Sequence, residues 1–279
     1  QMPAIFAPGD AAQDEVVEID DRLMVEAIER VHTAILASRP RPGRLRGALI
    51  WSTLGALALA AVIWLPGAVM AHAARIAPPA QRTAVGMELL ADMSRTAGQP
   101  CDRAAGAAVL DRLSARLLGP GGRIVVLPAT LRGARALPGR IVVIGDDMIA
   151  GAPGPEVAAG HVLAADVAAG VSDPLGEVIH AAGLRAAVEM LVTGALPETA
   201  VAGQGAARLL APAPRPDDEA LLSRLETAGV PSQPYARSLD PSGETVLTLI
   251  EADPFRTTAP PEPLMSGGEW VQLQQICAG

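Results

Sequence analysis

The chain has 279 residues, of which half are apolar but only 2% are aromatic, and it carries a formal net charge of -8. This length is enough for one or two domains with a hydrophobic core. The acidic balance argues against a nucleic-acid-binding surface, so nucleic acid is not an expected partner.

Residues 1–38 are expected to form a polar segment that ends in an amphipathic helix. Residues 16–19 favour a short strand, and Asp20 or Asp21 can cap a helix that runs to about Ser38. Apolar side chains recur along this helix at helical spacing. The helix either packs on its own neighbours or on the membrane surface, or docks a cytoplasmic partner, and the sequence leaves these alternatives open.

Residues 39–72 are interpreted as a basic flank followed by a transmembrane helix. Residues 47–70 carry no charge and are long enough to cross the ~30 Å hydrocarbon layer of a bilayer. Trp51 and Trp64 lie near the ends of this stretch, as membrane anchors often do. A buried core helix and a signal peptide are the alternatives. The length of the apolar run disfavours both, and the long segment before it also disfavours a signal peptide.

Arginine distribution predicts the orientation of this span. Four arginines precede it and two follow further out: Arg39, Arg41, Arg44 and Arg46, then Arg75 and Arg82. Positive residues stay on the cytoplasmic side, so the N-terminus is expected in the cytoplasm. All basic residues are arginine and asparagine is absent, which is typical of a GC-rich bacterial genome. The expected location is therefore a bacterial inner membrane, with residues 73–279 in the periplasm.

Residues 73–279 are predicted to form an α+β domain, mostly helical with a small β-sheet. Helices are expected at about residues 81–96, 103–118, 155–170, 173–193, 200–210, 217–229 and 267–276, and strands at 123–127, 140–144 and 245–250.

The two cysteines of the chain, Cys101 and Cys277, both fall in this domain. In an oxidising compartment they are expected to form one bridge between the last helix and the start of the domain. Closing so long a loop stabilises a fold by about 4–5 kcal/mol in the chain-entropy model. The alternative is two buried free thiols.

One helix and one turn of this domain carry a family resemblance. Residues 155–170 read P-E-V-A-A-G-H-V-L-A-A-D-V-A-A-G, and A-L-P-G-R precedes the second strand. The helix resembles the active-site helix of the membrane-associated zinc metallopeptidases of the HtpX and prenyl-protease type, P-E-E-x-x-x-V-L-A-H-E-x-G-H. The turn is similar to that family's A-x-P-G-G, which leads into the edge strand beside the cleft. The resemblance covers about residues 73–279 and implies a zincin-like fold.

The catalytic positions of that family are altered here. The two histidine ligands fall on Ala165 and Ala169, the catalytic glutamate on Asp166, and the third ligand on Pro214. A zincin site needs two histidines one helical turn apart, a third ligand and a glutamate that activates water. The resemblance therefore implies a pseudopeptidase with no catalytic residue, no metal and no other cofactor.

Such a protein is expected to be an accessory or scaffold subunit, or an assembly factor, of an inner-membrane protein complex. Its candidate binding surface is an edge strand that accepts a peptide by strand addition, formed by Ile141, Val142, Val143 and Ile144. An active membrane-bound hydrolase is the alternative, and it requires His161, His180 and Asp166 to converge as non-standard ligands. A third hypothesis gives the outer domain no role and leaves docking to the span and the N-terminal helix.

Overall fold

The structure is a computed structural model that describes residues 3–7, 16–38, 44–129 and 131–278. The chain is mostly helical with two small sheets, as the sequence predicted at that level. It divides into two compact units, residues 1–62 and residues 63–279. Arg39 and Arg41, which the orientation argument used, lie outside the described residues.

The first unit contains the predicted strand and the predicted helix. Strand β2 (Val17–Ile19) pairs antiparallel with β1 (Ala4–Phe6), a partner that the sequence did not indicate. Helix α1 (Arg22–Ser38) follows at once. The Asp21 carboxylate accepts a hydrogen bond from the Leu23 amide at 2.9 Å, so one of the two predicted caps is present.

Helix α2 (Arg44–Ile76) is continuous and contains the predicted span. Gly47–Ile76 is long and apolar enough to cross a membrane, and Trp51 and Trp64 are exposed on it. This apolar helix is not the first element of the chain, because a strand pair and α1 precede it. In the second unit, Ala73 near the end of α2 is buried in the core.

The second unit is a helical domain around a three-stranded sheet. Its helices are α3 (Pro79–Ala97), α4 (Ala104–Leu118), α5 (Asp147–Ala150), α6 (Pro155–Val171), α7 (Pro174–Ala182), α8 (Leu184–Thr193), α9 (Glu198–Val201), α10 (Gln204–Leu210), α11 (Asp218–Ala228), α12 (Ser232–Leu239), α13 (Leu247–Glu251) and α14 (Gly267–Gln274). Its strands are β3 (Arg123–Leu127), β4 (Arg135–Leu137) and β5 (Ile141–Gly145). The single helix predicted over residues 173–193 is two helices, because Gly183 adopts a φ of 87° between them.

The predicted edge strand is instead the centre of the sheet. The strand order is β3-β5-β4, with β3 parallel and β4 antiparallel to β5. Every residue of β5 is buried. The edge-strand prediction for Ile141, Val142, Val143 and Ile144 was therefore wrong, because the short strand β4 pairs with Ile141, Val142 and Val143 and places β5 between two strands.

The strand predicted over residues 245–250 was also wrong, since this stretch is helical. The Asp240 carboxylate accepts a hydrogen bond from the Thr245 amide at 2.9 Å, which closes a turn and starts a helical path. Val246 and Leu249, three residues apart, are buried, whereas Leu247 between them is 53% exposed. That spacing of buried positions is helical, and it outweighs the β-branched composition of the segment.

Arg82 ties the end of α2 to the start of α7. Its guanidinium donates hydrogen bonds to the carbonyl oxygens of Ala74 at 2.6 Å and of Ala77 at 3.3 Å. It also forms an ion pair at 2.8 Å with Asp173, which accepts a hydrogen bond from the Leu175 amide as the cap of α7. A cation at the last carbonyls of a helix is stabilising, so these contacts hold the last turn of α2 against the start of α7 within the second unit.

The predicted disulfide between Cys101 and Cys277 is present, with the two Cα atoms 4.9 Å apart. It fastens the end of the chain beside α4. The contact is close, because a Cβ added at Gly106 of α4 would lie 2.8 Å from the Ile276 side chain. The bridge and this contact together hold α14 on α4.

Helix α6 is buried on several sides. Ten of its 17 residues are buried. It packs against both β4 and β5 and against α4, α5, α11 and α12. A helix that is apolar all round is typical of such a position. Small side chains make the close approach possible, since a Cβ added at Gly160 would lie 2.8 Å from Cγ of Tyr235.

We therefore expect Gly160→Ala to destabilise the protein by about 1–3 kcal/mol, because the added methyl group overpacks the contact with Tyr235. Gly170 in the same helix is the matched control. A Cβ there meets nothing within 4 Å, so Gly170→Ala should be neutral or stabilising by up to about 1 kcal/mol. The melting temperatures of the two variants in detergent measure the difference. Equal effects at both positions would contradict the tight packing of α6.

Candidate functional site

Three cavities share lining residues along α6, and we call them together the α6 cleft. Their volumes are about 770 Å³ for the first cavity, about 230 Å³ for the middle cavity and about 670 Å³ for the outer cavity. The first and middle cavities share Ala165, Pro212 and Pro214, and the middle and outer cavities share Ala136, Ala169 and Pro174.

The middle cavity brings together the three positions that the resemblance assigned to zinc ligands. Ala165, Ala169 and Pro214 all line it. Positions 165 and 169 are one turn apart on the same face of α6. Beside Pro214, the Ala213 amide donates a hydrogen bond to the Arg132 carbonyl at 3.1 Å, which fixes this segment against the chain that leads into β4. None of the three side chains carries an atom that binds zinc, so the residues present do not fit that metal.

Asp166, the fourth of these positions, is engaged elsewhere. Its carboxylate forms an ion pair with Arg224 of α11 at 3.4 Å. Arg224 also donates a hydrogen bond to the carbonyl of Leu117 in α4. Asp166 lines the outer cavity and is not among the residues around the middle one. Its contacts therefore join α6, α11 and α4.

His161 lies one turn before Ala165 and lines the first cavity. Its Nε2 atom is 3.0 Å from Ser238 Oγ, and its ring meets that of Tyr235 edge to face with the centroids 4.9 Å apart. Burial lowers the pKa of His161 to about 4 and raises that of Tyr235 to about 12. Both side chains are therefore neutral at physiological pH.

The hydrogen-bond network of Ser238 does not activate its hydroxyl. Ser238 Oγ donates its one proton to the Tyr235 carbonyl at 2.6 Å. His161 Nε2 is then the donor to Ser238, and the His161 ring does not act as a base toward it. The contact fixes α12 against α6. No sequence signal indicated this cluster, because residues 232–239 were not predicted to be helical.

His180 is separated from His161. It is exposed and lines a different cavity, beside Ala74 and Arg75 at the end of α2. Within the described ranges, no group of three His, Cys, Asp or Glu side chains is placed to hold a metal ion. The ligand set of His161, His180 and Asp166 required by the hydrolase alternative is therefore not assembled.

Buried positive charge is the feature of the cleft that the sequence analysis missed. Arg135 of β4 and Arg208 of α10 line the middle cavity, and Arg135 is only 5% exposed. Burial, and secondly the charge of Arg208, lowers the pKa of the Arg135 guanidinium. The one sequence feature that could have indicated this buried charge is that Arg135 lies in a short apolar run before a Pro-Gly turn. That feature gives no indication that Arg208 lies beside it.

No protein-family model matches this chain, and no curated protein matches it significantly. The likeness to the zinc metallopeptidases therefore rests on the residues quoted above and on the convergence of positions 165, 169 and 214.

The buried histidine gives the protein a defined pH dependence. The pKa of His161 is about 4 when folded and 6.5 in its unperturbed state, so below pH 6.5 the unfolded chain takes up a proton that the folded chain does not. Stability should be unaffected above pH 6.5 and should fall by about 3 kcal/mol between pH 6.5 and 4. Melting curves of His161→Gln should lack this loss, whereas the exposed control His180→Gln should keep it. Identical pH profiles for His161→Gln and the unmodified protein would contradict the burial of His161.

Proposed function

We propose that this chain is a membrane-anchored, catalytically inactive protein with the fold of the HtpX/prenyl-protease zinc metallopeptidases. In this proposal it is an accessory or scaffold subunit, or an assembly factor, of a protein complex in a bacterial inner membrane. One observation carries the proposal. Pro214 is far in sequence from Ala165 and Ala169, which are one helical turn apart, yet all three line one cavity. This is the arrangement that the ligand positions of a zincin require, and here it carries no ligand atom.

The apolar helix supports a membrane location, since Gly47–Ile76 is long enough for a span. The arginine count on its two flanks favours a cytoplasmic N-terminus and a periplasmic second unit. The disulfide between Cys101 and Cys277 agrees with that side of the membrane, because disulfides persist in oxidising compartments.

The cleft supports a role in holding a polypeptide. Strand β4 is at the edge of its sheet, and among the described residues no strand lies on its outer side. Ala136 of β4 is half-buried and lines both the middle and the outer cavity. An extended segment of a partner that pairs with β4 would run along the α6 cleft, as in other cases of strand addition. In this proposal β4 takes the part that the sequence analysis gave to β5.

Site-specific photo-crosslinking in native membranes tests this proposal. A photoreactive residue at position 136 should crosslink to a protein of the membrane complex, because the partner segment lies against β4. The control position is Ala115, an exposed alanine of α4 that lines none of the cavities of the cleft. A crosslink at position 136 that is absent at position 115 is the expected result.

The role of the outer domain is tested in the same membranes with a chain that ends at residue 72. We expect this shortened anchor to fail to support the complex. If the anchor alone restores the complex, or if positions 136 and 115 crosslink alike, the cleft has no binding role. The span and the N-terminal helix would then be responsible for docking.

A further inference from the structure

The guanidinium of Arg135 is buried and forms no ion pair with any described residue. It donates hydrogen bonds to three carbonyl oxygens: Arg208 at 3.0 Å, Ala134 at 3.4 Å and Ala211. An arginine has five N–H donors, so two remain without a partner among the described residues. Carbonyl oxygens satisfy donors but do not neutralise the charge. Burying a guanidinium without an anion is costly.

Arg208 places a second positive charge beside the first. Its Nη1 atom donates hydrogen bonds to the Gln204 side-chain oxygen at 2.8 Å and to the Gln204 carbonyl at 3.3 Å. In the part of the chain that the structure describes, neither Arg135 nor Arg208 forms an ion pair within 4.0 Å. Glu177 lines the same cavity, and its charge acts favourably on Arg208 from a longer distance. Two positive charges and one negative charge therefore line the middle cavity of a protein whose net charge is -8.

We propose that the middle cavity is a carboxylate-binding site, in which Arg135 and Arg208 hold a carboxylate group of an acidic polypeptide segment that occupies the α6 cleft. The inference rests on the proposed function and specifies the chemistry of the partner. A carboxylate supplies both the missing negative charge and acceptors for the free N–H donors, and charge-assisted bonds of this kind are among the strongest in proteins. The two guanidinium groups thus provide positive charge beside the positions that the resemblance assigned to metal ligands.

The dimensions of the cleft define what enters it. The middle cavity of about 230 Å³ accommodates a carboxylate and a short stem, while the rest of the segment needs the larger cavities on either side. The first cavity is lined by Arg132, Arg215 and Arg237 and by one acidic residue, Asp147. Arg215 is paired with Asp218 at 3.1 Å, and Arg237 donates a hydrogen bond to the Pro241 carbonyl at 3.1 Å. Among the described residues neither Arg132 nor Arg237 has an ion pair, so both charges can act on further acidic residues of the same segment.

Four alanine pentapeptides test the proposal by titration against the full chain in detergent. Two have both ends blocked and carry a central glutamate or a central glutamine. The other two contain alanine alone and end in a free carboxylate or in an amide. At least one acidic peptide should bind roughly tenfold to a hundredfold more tightly than its neutral twin. If the glutamate and glutamine peptides differ in affinity, the carboxylate comes from a side chain. If the two all-alanine peptides differ, it comes from a chain terminus. Equal affinities within both pairs, or no binding by any peptide, would overturn the proposal.

A second experiment introduces the carboxylate into the protein itself by a substitution. Ala169 is half-buried and lines the middle cavity, so Ala169→Glu should place a carboxylate near the two arginines, and Ala169→Gln is the uncharged control of equal size. We expect the glutamate variant to melt about 2–4 °C above the glutamine variant and to lose peptide binding at least about tenfold. Position 169 is near the C-terminus of α6, where the helix dipole disfavours a negative charge, so a gain has to come from the arginines.

The difference should disappear in an Arg208→Gln background, which assigns it to the arginine pair. A glutamate variant that is no more stable than the glutamine variant would contradict the site. These outcomes are separable from those of the proposed function. If the acidic and neutral peptides bind alike but position 136 still crosslinks to a partner, only the carboxylate site is ruled out. If the acidic peptides bind more tightly than the neutral ones but position 136 crosslinks to no protein, the accessory role is ruled out and the carboxylate site remains.

Discussion

The second unit depends on burying one helix from several sides. Helix α6 lies against two strands and four helices, and this is possible only because its side chains are small where its neighbours come closest. Gly160 admits the Tyr235 ring, and Ala158, Ala159 and Ala164 are buried. The same packing determines which residues of α6 face the cleft. A shift of α6 would therefore disturb the core and the cleft together.

Electrostatic contacts complete the arrangement around α6. Arg224 joins Asp166 to the carbonyl of Leu117 and so connects α6, α11 and α4. His161 and Ser238 connect α6 to α12, with the histidine kept neutral by burial. Arg135 and Arg208 leave an excess of positive charge at the centre of the cleft. The contacts of Asp166 and His161 stabilise the scaffold, whereas the excess charge of Arg135 and Arg208 over Glu177 is the basis of the proposed carboxylate site.

Local sequence signals predicted much of this fold. The apolar run of α2, the helix at about residues 217–229 and the cysteine bridge were all predicted, because each depends on neighbouring residues or on a single pairing. Ala165 and Pro214 line the same cavity, which periodicity alone does not predict, since it does not join distant segments.

The errors have equally specific physical causes. Strand β4 has only three residues, which is too short for an alternating pattern, so it was not predicted. The expectation that β5 is an edge strand came from the resemblance of the preceding turn, and nothing in the sequence corrected it. Residues 245–250 contain β-branched side chains, but the Asp240 turn and burial at helical spacing decided the outcome. The positive charge of the cleft could not be predicted from the sequence, because Arg135 and Arg208 belong to elements that only the tertiary structure brings together.

Metal content of two purified proteins tests the central claim most directly. The unmodified chain should contain no stoichiometric zinc. A variant with Ala165→His, Asp166→Glu, Ala169→His and Pro214→Glu should take up about one zinc per chain, because it restores three ligands and the neighbouring glutamate. The same variant with Pro214 retained should bind zinc far more weakly. Stoichiometric zinc in the unmodified protein, or no zinc in the restored variant, would contradict the account.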